Sequence, residues 1–282
     1  MQAVRGSRTS TTGPESEPSA PRYTARAIKG TALLDEMRAL LRAWHPAETP
    51  AAFRARVGAE DLLGKATASR RDDLVRLVFE RRFLLADQEP AISMRRLLDR
   101  RGSGPWFSQL CLLAAARADA VVRDTASVFL SDRRARSAGT VSTPDLMHFL
   151  EVQEARGYMA KPWSLGVRKS VAQHVLHQLT ELGVLGAPRR GVRPLLAFAP
   201  SALSVAWLAC DLHRRGTSDA ALVAHPDWQV WQLQEHDVRE TIHRLSDIGL
   251  WLYQGAGSTV RIAWTWSDWD EALKVLEGTT ID

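Results

Sequence analysis

Apolar residues recur at helical spacing along most of this chain. Leu33, Leu34, Met37, Leu40, Leu41 and Trp44 fall three and four apart, with Asp35, Glu36, Arg38 and Arg42 between them. The pattern predicts an amphipathic helix over 32–44. His45-Pro46 ends it, and Thr49-Pro50 is a cap-then-proline start for a short second helix. Gly64 follows the apolar pair Leu62 and Leu63, and Ser69 with Asp72 makes a capping-box-like start. The helix that follows turns Leu74, Leu77, Val78 and Leu85 inward. Helix, glycine turn, helix is the order of a helix-turn-helix, which plain helical hairpins share. Residues 102–105 read as a loop and 106–130 as one long, alanine-rich, mostly buried helix.

Helices are predicted over 144–155 and 164–182, the second with Val167, Val171, Val175, Leu179 and Leu182 along one stripe. The pattern changes after Gly183. Val184-Leu185, then the turn 188–191, then 192–198 reads as strand, turn, strand. A helix followed by a hairpin with a basic tip is the winged-helix pattern. The same order recurs 66 residues later, where 175–198 aligns without gaps on 241–264. His177 matches His243, Leu179 matches Leu245 and Gly183 matches Gly249. Apolar residues meet at Leu176/Ile242, Leu182/Ile248, Leu196/Ile262 and Phe198/Trp264. An internal repeat explains this, and two unrelated helix–hairpin segments remain the alternative.

The organisation expected is a disordered tail over 1–21, rich in Ser, Thr, Pro and Gly, a helical region over 22–138, and a region over 139–282. The last holds two winged-helix-like units, about 143–200 and 201–282. The fold class is mainly α, a multi-helix protein whose helix-turn-helix and winged-helix-like units carry small β-hairpins. Cys111 and Cys210 lie far apart in apolar runs, which suits buried thiols in a reducing compartment. With no signal peptide pattern and no apolar run long enough for a bilayer, a cytoplasmic protein with no membrane role is expected.

Net charge is only +5, but it is unevenly placed. Residues 22–136 hold 22 basic and 14 acidic side chains, net +8. Residues 153–193 hold seven and two, net +5, and residues 194–282 hold six and twelve, net −6. Segregated positive charge suits a polyanion. An arginine bias, 32 of 37 basic residues, explains the choice of Arg over Lys but not the acidic last third.

Outside its apolar stripe, the 164–182 helix presents Arg168, Lys169, Ser170, Gln173, His174 and His177, side chains suited to base edges and phosphates. Arg189, Arg190 and Arg193 sit on the hairpin, where they suit a DNA backbone or minor groove. A solvated face is the alternative. Lys65, Arg70 and Arg71 flank a helix start, which suits a phosphate, or they are plain exposed cations. His174 and His177 lack a third ligand at metal spacing. With no Walker loop, GxSxG, HExxH or paired CxxC, no metal, cofactor or catalytic residue is assigned. The second unit has no cation in its turn at 254–257. Its acidic, Trp-rich surroundings (Trp228, Trp231, Trp251, Trp264, Trp266, Trp269) suit packing or self-association.

Several stretches together resemble the BrxA family of the BREX phage-defence systems. They are YTARAIKGTALLDEMRALLRAW (23–44), LLGKATASRRDDLVRLVFERRF (62–83), LLAAARADAVVRD (112–124), LTELGVL (179–185) and HPDWQVWQL (225–233). The resemblance implies a bacterial helical protein that binds double-stranded DNA without being an enzyme, alongside other BREX proteins. It carries no catalytic residues, so the contact residues rest on the sequence pattern alone. A scaffold that recruits BREX partners without touching DNA, and an RNA-binding protein, are the alternatives.

Overall fold

The computed structural model describes residues 22–29, 34–64, 67–257 and 259–278. The expected tail at 1–21, the start of the first helix and Lys65 lie outside the described residues. A 3-10 segment, Ala25–Lys29, leads to α1 (Leu34–Ala43) and α2 (Pro50–Ala59). Thr49 caps α2, its hydroxyl accepting from Ala52 N at 3.2 Å. The next rod is α3 (Ala68–Asp73), a π-helical turn Leu74–Phe79 and α4 (Glu80–Phe83). Its cap is Thr67, which accepts from Arg70 N, and not the expected Ser69. Thr67 holds extended backbone angles, whereas Ser69 already lies inside the helix. α5 (Glu89–Arg101) was not foreseen, although Ala91, Met94, Leu97 and Leu98 are buried at helical spacing.

The expected long helix over 106–130 is two helices. α6 (Pro105–Ala118) is buried along nearly its whole length. At Asp119 the backbone turns extended (φ −141°, ψ 111°), and its carboxylate accepts from Val121 N to cap the next rod. That rod is α7 (Ala120–Asp124), a π-helical turn Thr125–Phe129 and α8 (Leu130–Ala135). One capping aspartate redirects an apolar run that reads as continuous by periodicity.

Strand β1 (Thr140–Ser142) follows, then α9 (Thr143–Ala155), α10 (Leu165–Glu181) and β2 (Val192–Pro194). β1 was not foreseen. It pairs antiparallel with β2, Val141 opposite Arg193, while Leu185 bridges Leu195 on the other side. The expected hairpin is therefore the outer part of a three-stranded patch, and its return strand ends at Pro194 instead of Phe198.

The chain ends with α11 (Ala202–Arg214), α12 (Asp219–Val223), α13 (Asp227–Val230), α14 (Glu235–Arg244), a 3-10 turn Leu245–Ile248, β3 (Trp251–Ala256), β4 (Thr259–Trp264) and α15 (Trp269–Gly278). α11 and α13 pack on α6, and α15 packs on α5 and α11. One apolar core runs from Tyr23 to Leu276. Buried polar groups stitch across it. Trp207 Nε1 donates to Ser93 Oγ at 3.0 Å, and Gln109 Oε1 accepts from Ser201 N and Ser204 Oγ.

The acidic charge of the last third has a structural use. Asp211 and Asp227 hold Arg117 of α6, and Asp270 and Glu277 hold Arg96 of α5; in the opposite sense, Asp87 of the first third takes Arg214 and Arg215 of the last. Charge segregation along this chain thus records, in part, two halves of one molecule meeting. The tryptophans tell the same story. Trp228, Trp231 and Trp251 are fully buried, and Trp264, Trp266 and Trp269 are partly buried around His213, Arg214 and Trp207. Packing accounts for them.

Both thiols are buried, and burial pushes Cys111 up to about 12 and Cys210 well above its ordinary value. A thiolate is the reactive form. Neither cysteine is expected to react with a disulfide reagent at pH 8 until denaturant is added; rapid labelling of the native protein would contradict this burial.

Candidate nucleic-acid interface

α10 starts at Ser164, whose Oγ accepts from Val167 N, and buries Val171, Ala172, Val175, Leu176 and Leu179. It ends at Gly183 (φ 79°), with Val184 N donating to Leu179 O and Gly183 N to Thr180 O. This is the paired bond pattern of a Schellman stop, which favours glycine at the left-handed position. The stop aims the chain directly into the hairpin.

On the outer side, Lys169, Gln173 and His177 are exposed at four-residue steps and form one ridge. Ser170 and His174 are half-buried beside it, His174 Nδ1 lying 2.7 Å from Ser170 O. His177 Nε2 lies 3.4 Å from Glu181 Oε1. Arg168 is elsewhere. Its side chain is 13% exposed and gripped by Glu151 and Glu154, so it ties α10 to α9. Arg156 and Lys161 are also exposed, in and before the loop entering α10. They were inside the net +5 segment but not singled out.

The hairpin tip is a two-residue turn. Arg189 N donates to Val192 O at 2.8 Å and Val192 N to Arg189 O at 3.1 Å. Arg190 (φ 50°) and Gly191 (φ 84°) both lie in the left-handed region, the type I′ arrangement that matches strand twist and favours Asn or Gly. An arginine there is strained, and both Arg189 and Arg190 are exposed. Arg193, opposite Val141, is half-buried; burial lowers its guanidinium from the usual range, and its Nε has no hydrogen-bond partner. Among the described residues, Lys169, Arg189, Arg190 and Arg193 make no ion pair.

The other candidates are placed differently. Arg71 pairs with Asp61 at 3.0 Å, and nearby Lys29, Arg54 and Arg76 pair with Asp73, Glu80 and Asp72. The N–H of Arg70 is taken by Thr67. The α2–α3 region therefore balances much of its own charge.

The second helix–hairpin keeps the stop at Gly249 (φ 82°), and Leu176 and Ile242 are both fully buried. Its return strand departs from the gap-free alignment. Leu185 bridges Leu195, whereas Trp251 pairs with Trp264. The first partners lie 66 residues apart (251 − 185) and the second 69 (264 − 195), a slip of three. Accordingly Ile262 is buried while Leu196 is 39% exposed. Arg239 is held by Glu235 and donates to Gly257 O at the turn.

Fold and site together define a mainly helical protein with a basic helix-and-hairpin unit followed by an acidic one. The BrxA family profile matches residues 21–197, more than half of the chain. The chain belongs to the BrxA family, a component of the BREX phage-defence systems. The match includes the basic unit and stops before the HPDWQVWQL stretch. A crystal structure of an uncharacterized protein from Magnetospirillum magneticum is similar in fold, with a TM-score of 0.58, 19% identity, 75% of this chain covered and 99% of that one. No curated protein matches the chain. No helix among the described residues is long and apolar enough to cross a membrane.

Proposed function

We propose that this protein binds double-stranded DNA, as a non-enzymatic part of the BREX machinery, in the winged-helix manner. α10 lies in the major groove through Lys169, Gln173 and His177, and the 188–191 turn rests on the flanking backbone. The observation that carries this reading is the set of cations left over. Arg133 and Arg168 nearby are matched to carboxylates. Among the described residues Arg189, Arg190, Arg193 and Lys169 are not, nor are Arg134, Arg156 and Lys161, and Arg193 and Arg134 are partly desolvated as well. A desolvated guanidinium without an internal anion favours an external one, and phosphate fits it.

The test is fluorescence anisotropy of a random-sequence duplex at two salt concentrations. Phosphate contacts from Arg189, Arg190 and Arg193 predict a log–log slope of about −2.7, or roughly a fortyfold weakening between 50 and 200 mM salt. Duplex RNA should compete poorly, because its major groove is too narrow for α10. No binding at low salt would leave the scaffold reading in its place.

The strained turn supplies a second prediction. Arg190→Asn relieves the left-handed penalty and should stabilise the protein by about 0.5–1 kcal/mol in urea unfolding. The same change should weaken duplex binding. A variant that is less stable, or that binds as tightly as before, would count against a functional reason for arginine there.

A further inference from the structure

The exposed ridge of α10 does not begin at Lys169. Four residues earlier stands Leu165, the first residue of the helix, with 68% of its surface in solvent. Leu85, which lies beyond the end of α4 and is not turned inward as its spacing suggests, and Leu252 are similarly exposed, and a solitary surface leucine carries no message by itself. The position of Leu165 sets it apart. It continues the row of Lys169, Gln173 and His177 at the N-terminal end, the end that meets base edges when such helices dock. Exposed Lys161 and Lys169 lie on either side of it in sequence.

The neighbouring Gly166 points the same way. Its φ is not positive, and a Cβ there would meet only the Ser164 hydroxyl, at 4.0 Å. Nothing within the chain requires glycine, which costs helix stability relative to alanine. A bare backbone beside Leu165 leaves room for close approach to an outside surface.

We propose that Leu165 is a specificity contact that packs on the C5-methyl group of thymine in the major groove. This rests on the duplex-binding reading above and names what that site prefers: a thymine where the start of α10 meets the bases. The methyl is the apolar feature of the groove; cytosine carries only hydrogen at that ring position, beside its N4 amine, and guanine presents N7 and O6. A leucine over those groups strips their water and returns no hydrogen bond. Over thymine it removes apolar surface from water on both sides.

Uracil isolates the effect, because it keeps every hydrogen-bonding group of thymine and lacks the methyl. The full-length protein is titrated with one DNA duplex and with its copy carrying deoxyuridine in place of every thymine, at one salt concentration. The wild type should bind the uracil copy about fourfold more weakly, the equivalent of one methyl-sized apolar contact. Leu165→Ala, a change at an exposed site, should bind the thymine duplex with a comparable loss and no longer distinguish the two. Equal binding of both duplexes by the wild type overturns the proposal, as does a Leu165→Ala variant that keeps the same preference for thymine. Failure of the wild type to bind either duplex overturns the DNA-binding reading itself.

Discussion

Replacing both Arg189 and Arg190 with glutamate will remove most of the affinity for duplex DNA and leave the fold intact. Both side chains are exposed at the hairpin tip and make no ion pair among the described residues, so their loss opens no cavity and orphans no carboxylate. Two lost phosphate contacts lower the salt slope by about 2, and two added negative charges repel the backbone over a Debye length of about 8 Å. The matched control is Arg239 and Arg244 to glutamate in the second unit. Arg239 is already bound to Glu235, and Asp237 and Glu240 lie close by in sequence. Little change is expected there. Equal losses from the two pairs would mean that the acidic unit also reads DNA. Anisotropy measures the affinities, and circular dichroism checks that both variants fold.

The largest stability effect is expected far from the hairpin, at Asp211. Its side chain is 0% exposed and its two oxygens hold Arg117, Arg214 and Arg215 at 2.8, 2.8 and 3.0 Å. Asp87 and Asp227 complete the cluster. Removing one partner from a buried ionic network leaves the others in low dielectric without compensation. Asp211→Ala should therefore cost about 3–5 kcal/mol in urea unfolding. By contrast, Glu235→Ala breaks the more exposed pair with Arg239 and should cost less than about 1 kcal/mol. If Asp211→Ala and Glu235→Ala cost the same, the cluster is not what joins α11 to α6. DNA binding by folded Asp211→Ala protein should stay near wild type, because no residue of the cluster belongs to α10 or its hairpin.

The parts that could be read from the chain alone are those whose cause is local. Thr49-Pro50 starts α2, Ser164 starts α10 and Gly183 stops it, because caps and left-handed glycines act on neighbouring backbone groups. The apolar stripe of α10 gave its inner face, and the outer face with Lys169, Gln173 and His177 followed from periodicity. What needed the tertiary structure was everything set by distant partners. β1 is three residues long and exists because β2 is there to pair with it. The three-residue slip between the two hairpins comes from different strand partners, which a gap-free alignment cannot register. Arg168 resembles Lys169 in sequence but faces two glutamates of α9. The net charge of each segment was legible, but not how much of it is cancelled inside the molecule. Ion pairing depends on which side chains come within a few ångströms, and here Arg96 and Arg117 meet acids more than ninety residues away. Local rules shaped the helices; tertiary packing, between α9 and α10 as much as between the first third and the last, decided which cations remain for a partner.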